Sequence, residues 1–216
     1  MKENYRILYK GGEGEVVEKK SRFIATIRPV ESEDEAVSFI AEMKKKYWDA
    51  IHNCSAFTVG ENFEISRCSD DGEPAQTAGR PMLDVFLGEE IHNVCAVVTR
   101  YFGGTLLGTG GLVRAYSGAV QEGLKNCVIL EKKLAEKLEL KTDYSDLGKI
   151  QYILAEQGIT VLGSEYSDKV VLTALAPLSE AQGLKKKLTE GTGGRCLIEL
   201  LDKVYFGVTG GETVIF

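Results

Sequence analysis

The chain has 216 residues, 44% of them hydrophobic and 27% charged, with a formal net charge of −6. That balance describes a globular protein with a sizeable core and excludes a disordered or low-complexity chain. The acidic excess is shared equally by the residues before and after Lys133, so no hidden basic half exists and nucleic-acid binding by bulk charge is excluded.

Residues 5–8 read as a short strand, and residues 15–28 as a loosely alternating segment that firms into a strand over 23–27. Ser32, with Glu35 three positions on, has the form of a capping box, and Ala36, Phe39, Ile40 and Met43 follow at helical spacing to about Tyr47. Residues 52–59 and 63–68 read as two strands joined through Gly60-Glu61-Asn62. The stretch 70–80 has turn chemistry and no period; Pro81 then suits the first turn of a helix carrying Met82, Val85 and Phe86. Residues 94–98 form a continuous apolar run, expected of a strand covered on both faces. A glycine-rich connection leads into a helix marked by Leu112, Val113, Tyr116, Val120 and Leu124.

Residues 130–140 are ambiguous: their Leu, Glu and Lys content favours helix, whereas Leu138 to Thr142 alternates like an edge strand. Beyond them, Ser145 is read as the cap of a helix ending at Gly158, residues 161–166 and 169–176 as a strand hairpin, and Ser179 as the start of a helix closed by Gly191. Residues 196–201 follow as a strand, and the tail 205–216, turning at Thr209-Gly210-Gly211, is apolar enough to pack back. With the ambiguous piece taken as strand, residues 137–201 spell β-α-β-β-α-β, the ferredoxin-like pattern. The expected organisation is α+β, with one domain over residues 1–133 and a second over 137–216.

No apolar run approaches the roughly 18 residues that span a bilayer, and the charged start Met1-Lys2-Glu3 does not read as a signal peptide. The expectation is a cytoplasmic protein without membrane partners. Five cysteines without C-x-x-C pairing, beside two histidines, read as reduced and mostly buried thiols, and not as a disulfide set or a zinc site. The runs Lys44-Lys45-Lys46 and Lys185-Lys186-Lys187 fall on expected helices and read as solvated faces.

Two loops carry chemistry. Gly103, Gly104, Gly108, Gly110 and Gly111 sit between the apolar strand and the next helix, flanked by Arg100 and Arg114. Such a turn presents unpaired N–H groups and the positive end of a helix dipole, an anion site that guanidinium groups reinforce. It lacks the Gly-Lys-Ser/Thr ending of a P-loop, which excludes a Walker-type site; the structural alternative is a tight, closely packed strand-to-helix connection. Upstream, Asp70, Asp71 and Glu73 crowd three carboxylates into four positions. Such a group is solvated, paired with arginines such as Arg80, Arg100 or Arg114, or holding a hard cation such as Mg²⁺; the structural alternative is a polar turn. His52 and Cys54 share one face of their strand while Asn53 points away, which favours a packed histidine over a catalytic pair.

The motifs Asp70-Asp71-Gly72-Glu73-Pro74-Ala75, Thr77-Ala78-Gly79-Arg80-Pro81-Met82-Leu83, Thr99-Arg100-Tyr101-Phe102-Gly103-Gly104 and Leu107-Gly108-Thr109-Gly110-Gly111-Leu112-Val113-Arg114-Ala115-Tyr116 closely resemble the IMPACT family, in its bacterial, YigZ-like branch. His52 and Cys54, followed by Ala56, match that family's upstream element, and Gln76 stands where the family usually has glycine. The resemblance covers essentially the whole chain. It implies a first domain similar to the second domain of a small-subunit ribosomal protein, and a ferredoxin-like second domain similar to one in elongation factor G. Eukaryotic relatives regulate translation by competing for the activator of the kinase that phosphorylates initiation factor two; their different accessory domain keeps that partner from being transferred.

The resulting expectation is a non-enzymatic binding protein connected with translation or its stress regulation, with the ribosome, RNA or a translation factor as partner. Arg80, Arg100, Arg114 and the five glycines would meet an anionic group, and Asp70, Asp71 and Glu73 would orient the arginines or hold a cation. The alternative is a Mg²⁺-dependent enzyme acting on a small phosphorylated ligand. A third reading makes both loops a structural part of the core.

Overall fold

The computed structural model describes residues 2–216. The chain divides into two compact units, one of Tyr5–Glu131 and one of Lys132–Phe216 together with Lys2–Asn4. It is an α+β protein, with five helices among the described residues.

In the first unit, strands β2 (Gly12–Glu18), β3 (Ser21–Pro29), β4 (His52–Val59), β5 (Ile65–Ser69) and β7 (Val94–Tyr101) form a five-stranded sheet in the order β2-β3-β7-β4-β5. Every neighbouring pair in it is antiparallel. Strand β1 (Asn4–Lys10) pairs in parallel with the two-residue β6 (Ile91–His92). The central strand β7 explains its own apolar run. Cys95 and Val97 face a cluster with Phe39 and Met43 of helix α1 (Glu33–Lys46). Ala96 and Val98 face the opposite cluster, built with Met82 and Phe86 of α2 (Gly79–Gly88) and Leu112, Tyr116 and Val120 of α3 (Gly108–Leu124). A strand covered on both faces has no place for alternating polar residues.

The expected cap of α1 forms: Ser32 Oγ accepts from the Glu35 N–H at 3.2 Å, while the Glu35 carboxylate accepts from the Glu31 N–H at 2.8 Å, one residue before the cap. Residues 15–28, read as one loose segment, are in fact two strands. Lys19 and Lys20, at φ 46° and 68°, make the tight turn of the β2–β3 hairpin, a conformation that carries no lysine signature.

The second unit takes most of β8 (Val128–Thr142), from Lys132 on, and α4 (Tyr144–Glu156), β9 (Thr160–Tyr166), β10 (Val170–Pro177), α5 (Leu178–Thr192) and β11 (Leu197–Thr209) follow in the β-α-β-β-α-β order. Their sheet order is β9-β10-β8-β11, antiparallel throughout, and β12 (Glu212–Ile215) returns beside β11 through the Gly210-Gly211 turn. This is the ferredoxin-like arrangement. The ambiguous residues belong to β8, whose pairing with β10 on one side and β11 on the other outweighs helical composition. Three boundaries differ from the sequence reading. Helix α4 is capped at Asp143 and not Ser145, α5 runs through Gly191 to a left-handed Gly193, and β11 continues to Thr209. Gly191 lies inside α5 where that helix meets α4: a Cβ there would lie 2.9 Å from Ile153 Cδ1. Among the described residues, no helix is long and apolar enough to cross a membrane.

Candidate functional site

Three separated segments meet at one end of the five-stranded sheet. Antiparallel pairing of β4 with β7 sets His52 opposite Arg100. The chain after β5 then folds residues 70–78 over these two, and the glycine loop after β7 closes the other side.

The 70–78 loop is built around its own carboxylates. Asp70 Oδ1 accepts the N–H groups of Ala78 at 3.0 Å and Gly79 at 2.8 Å, and its Oδ2 accepts that of Gln76 at 2.8 Å. Asp71 Oδ1 pairs with Lys44 Nζ at 2.5 Å, and its Oδ2 accepts the Asn53 N–H at 2.7 Å. Lys44 is therefore not simply part of a solvated run. Glu73 is buried; its Oε1 accepts from Arg100 Nη1 at 2.5 Å and from the Tyr116 hydroxyl at 2.7 Å. The three crowded carboxylates thus escape mutual repulsion by serving three different sets of partners. Among the described residues, no group of three His, Cys, Asp or Glu side chains could hold a metal ion.

His52 Nδ1 lies 2.8 Å from the Asp71 carbonyl oxygen, which can only accept, so Nδ1 carries a proton. Its Nε2 faces Glu73 Oε2 at 3.9 Å. Cys54 is fully buried and donates from Sγ to the Asp70 carbonyl at 3.0 Å. Burial pushes the Cys54 thiol up to about 12, and burial together with Cys54 and Glu73 pushes the Tyr116 phenol up as well. Both remain neutral donors at neutral pH, and Cys54 is a structural thiol without thiolate character.

Arg100 is only 7% exposed. Its guanidinium lies over the Phe23 and Phe102 rings, 5.3 Å and 5.7 Å from their centroids, and its Nε has no hydrogen-bond partner among the described residues.

The glycines divide by role. Gly103 is a close-approach residue: a Cβ would fall 2.1 Å from the Lys20 carbonyl carbon, and its N–H donates to Ser21 Oγ at 3.0 Å. Gly104 and Gly108, at φ 85° and 69°, take the left-handed conformation that turns the chain into α3. That helix starts without any side-chain cap, which leaves its first N–H groups to water or a ligand. Gly110 is exposed at this start, with Arg114 Nη1 beside it at 3.6 Å from a built Cβ, whereas Gly111 packs on Leu107. Arg114 is exposed and makes no ion pair with the described residues.

Between the loops lies a cavity of about 430 Å³. Its polar lining comes from His52, Glu73, Arg100 and the Gly108-Thr109 start of α3; Ile51, Pro74, Phe102, Leu106, Leu107 and Leu112 supply the apolar walls. The structure therefore brings His52, Glu73, Arg100 and Gly108 to one cavity. It places Asp70, Asp71 and Cys54 behind the wall as supports. Arg80 stands apart on α2, paired with Asp84 at 2.8 Å.

Sequence reasoning missed Tyr116 as the second donor to Glu73, because a tyrosine at an inward helical position reads simply as core. It also missed the apolar rim, where Leu106 is 83% exposed. A large aliphatic residue inside a glycine-rich loop was the available signal.

The Impact N-terminal domain matches residues 19–124, and a domain of unknown function, DUF1949, matches residues 140–195. The IMPACT family member YvyE of Bacillus subtilis (strain 168) is 43% identical over 195 residues, covering 90% of each chain. The IMPACT family member YigZ of Escherichia coli (strain K12) is 35% identical over 82% of this chain and 87% of that protein. A Dictyostelium discoideum protein IMPACT homolog is 39% identical over 97 residues, 43% of this chain and 28% of its own length. A crystal structure described as that of a hypothetical protein aligns with 94% of this chain and 99% of its own, at 31% identity and a TM-score of 0.59. Matched over nearly its full length by bacterial relatives, and with both family domains in order, the chain is a member of the IMPACT family.

Proposed function

We propose that this protein is a regulatory binding protein acting in translation or its stress control, and that it recognises an anionic group of its partner at the start of α3. Family membership supports a regulatory role in general terms. The finer reading rests on one observation: both loops line a single cavity whose rim carries an uncapped helix N-terminus. The dipole of a 17-residue helix favours negative charge there, and exposed Arg114 is the seventh residue of the same helix. Arg100 reinforces the wall, held by Glu73 instead of by solvent.

The partner is the ribosome, an RNA or a translation factor. The test is affinity capture from a cell extract at low and at physiological salt, with the wild-type chain and with Arg114→Ala. The proposal expects a ribosomal, RNA or translation-factor partner whose retention falls with salt and falls further in the variant, because phosphate contacts release counterions. Capture of no such partner at either salt concentration contradicts it.

A further inference from the structure

We infer that the cavity beneath the α3 start receives an amino-bearing nucleobase, so that the anionic group recognised above it is the phosphate of a nucleotide unit. This deepens the anion-binding reading and rests on it.

Two acceptors face each other across the cavity wall. The Asp71 carbonyl fixes a ring proton at His52 Nδ1, and Nε2 of that tautomer is an acceptor. It faces Glu73 Oε2, a second acceptor, across 3.9 Å. Two acceptors held at that separation call for a donor between them, and an exocyclic amino group supplies two N–H bonds from one nitrogen. The walls themselves suit a flat, apolar body. Phe102 is half-exposed on the cavity and lies against the Arg100 guanidinium, and Pro74, Leu107 and Leu112 continue the apolar lining. Aromatic rings backed by arginine are the platforms on which unpaired bases stack. A planar body, an amino donor and an anion occur together in a nucleotide, and a volume of about 430 Å³ falls in the range of small-molecule sites.

The same unit can come from a free mononucleotide or from single-stranded RNA, and the experiment separates them. The full-length chain is titrated calorimetrically with AMP, IMP, adenosine, inosine, inorganic phosphate and a short single-stranded oligoadenylate. IMP replaces the amino group of AMP with a carbonyl oxygen, an acceptor set against two acceptors. The expected result is AMP at least tenfold tighter than IMP, the same order for adenosine over inosine, and a phosphate contribution lost in Arg114→Ala. Glu73→Gln erases the AMP preference. Because Glu73 is buried among its partners, Phe102→Ala at the rim serves as the second variant and weakens AMP and adenosine about tenfold while leaving inorganic phosphate unchanged. An oligoadenylate that binds tighter than AMP assigns the site to RNA; equal affinity assigns it to the mononucleotide. Equal affinity for AMP, IMP and inorganic phosphate overturns the base pocket and leaves the anion reading standing. An adenosine preference with no phosphate contribution does the reverse, and binding of none of these ligands overturns both.

Discussion

Replacing Asp70 by alanine removes one side chain and strands three backbone donors. Ala78 and Gly79 are buried, so their N–H groups lose the carboxylate and gain no water in exchange, whereas Gln76 is exposed and its N–H rehydrates. Each buried donor left without a partner costs about 1–3 kcal/mol, so the variant loses about 2–6 kcal/mol of first-unit stability. Asp70→Asn keeps a carbonyl oxygen for Ala78 and Gly79 and turns its amide toward the Gln76 N–H, costing about 1–2 kcal/mol. Urea unfolding gives the stabilities, and hydrogen exchange at the Ala78 and Gly79 amides gives a local readout. With every 1.4 kcal/mol worth tenfold, protection of those amides falls by at least about thirtyfold in Asp70→Ala. Stability within about 0.5 kcal/mol of wild type, with unchanged exchange, would refute the reasoning. The loop would then fold without its central carboxylate, and Asp70 would be free to bind a cation, detectable as a Mg²⁺ affinity lost in the variant.

Gln76 sits at φ 63°, where a side chain costs about 1–2 kcal/mol, so Gln76→Gly stabilises the first unit by about 0.5–1 kcal/mol after the added freedom of the unfolded chain is subtracted. A lowered melting temperature would contradict this. In the second unit, bidentate hydrogen bonds from Arg195 at 2.7 Å hold the Asp146 carboxyl below the usual carboxylate range. The stability this pair contributes is therefore present above the ordinary aspartate titration and disappears as pH falls through the lowered value. Urea midpoints of Arg195→Ala should trail wild type at pH 6 and converge with it in acid; a gap independent of pH would contradict the assignment.

Much of the fold was legible in the sequence, because local rules and tertiary packing agreed. The Ser32 cap, the turn at Gly60-Glu61-Asn62 and the apolar run of β7 each satisfy both. Where they disagreed, tertiary pairing won: β8 is a strand because two partners flank it, not because Leu, Glu and Lys prefer to extend. Lys19-Lys20 forms a left-handed turn that no lysine preference announces. The candidate site was legible as two motifs and not as one cavity. Residues 52, 73, 100 and 116 meet only through the β4–β7 register and the inward face of α3, and Asp70 acts on backbone donors that carry no side-chain signal.

The amides that open α3 are where an anion would be felt first. A ¹⁵N-labelled sample titrated with AMP reports them one by one. The predicted result is saturable shifts at Gly108, Thr109 and Gly110, with companion shifts at His52 and Phe102, and loss of the amide shifts in Arg114→Ala. Unmoved glycine amides throughout the titration, or saturable shifts confined to the second unit, would contradict it.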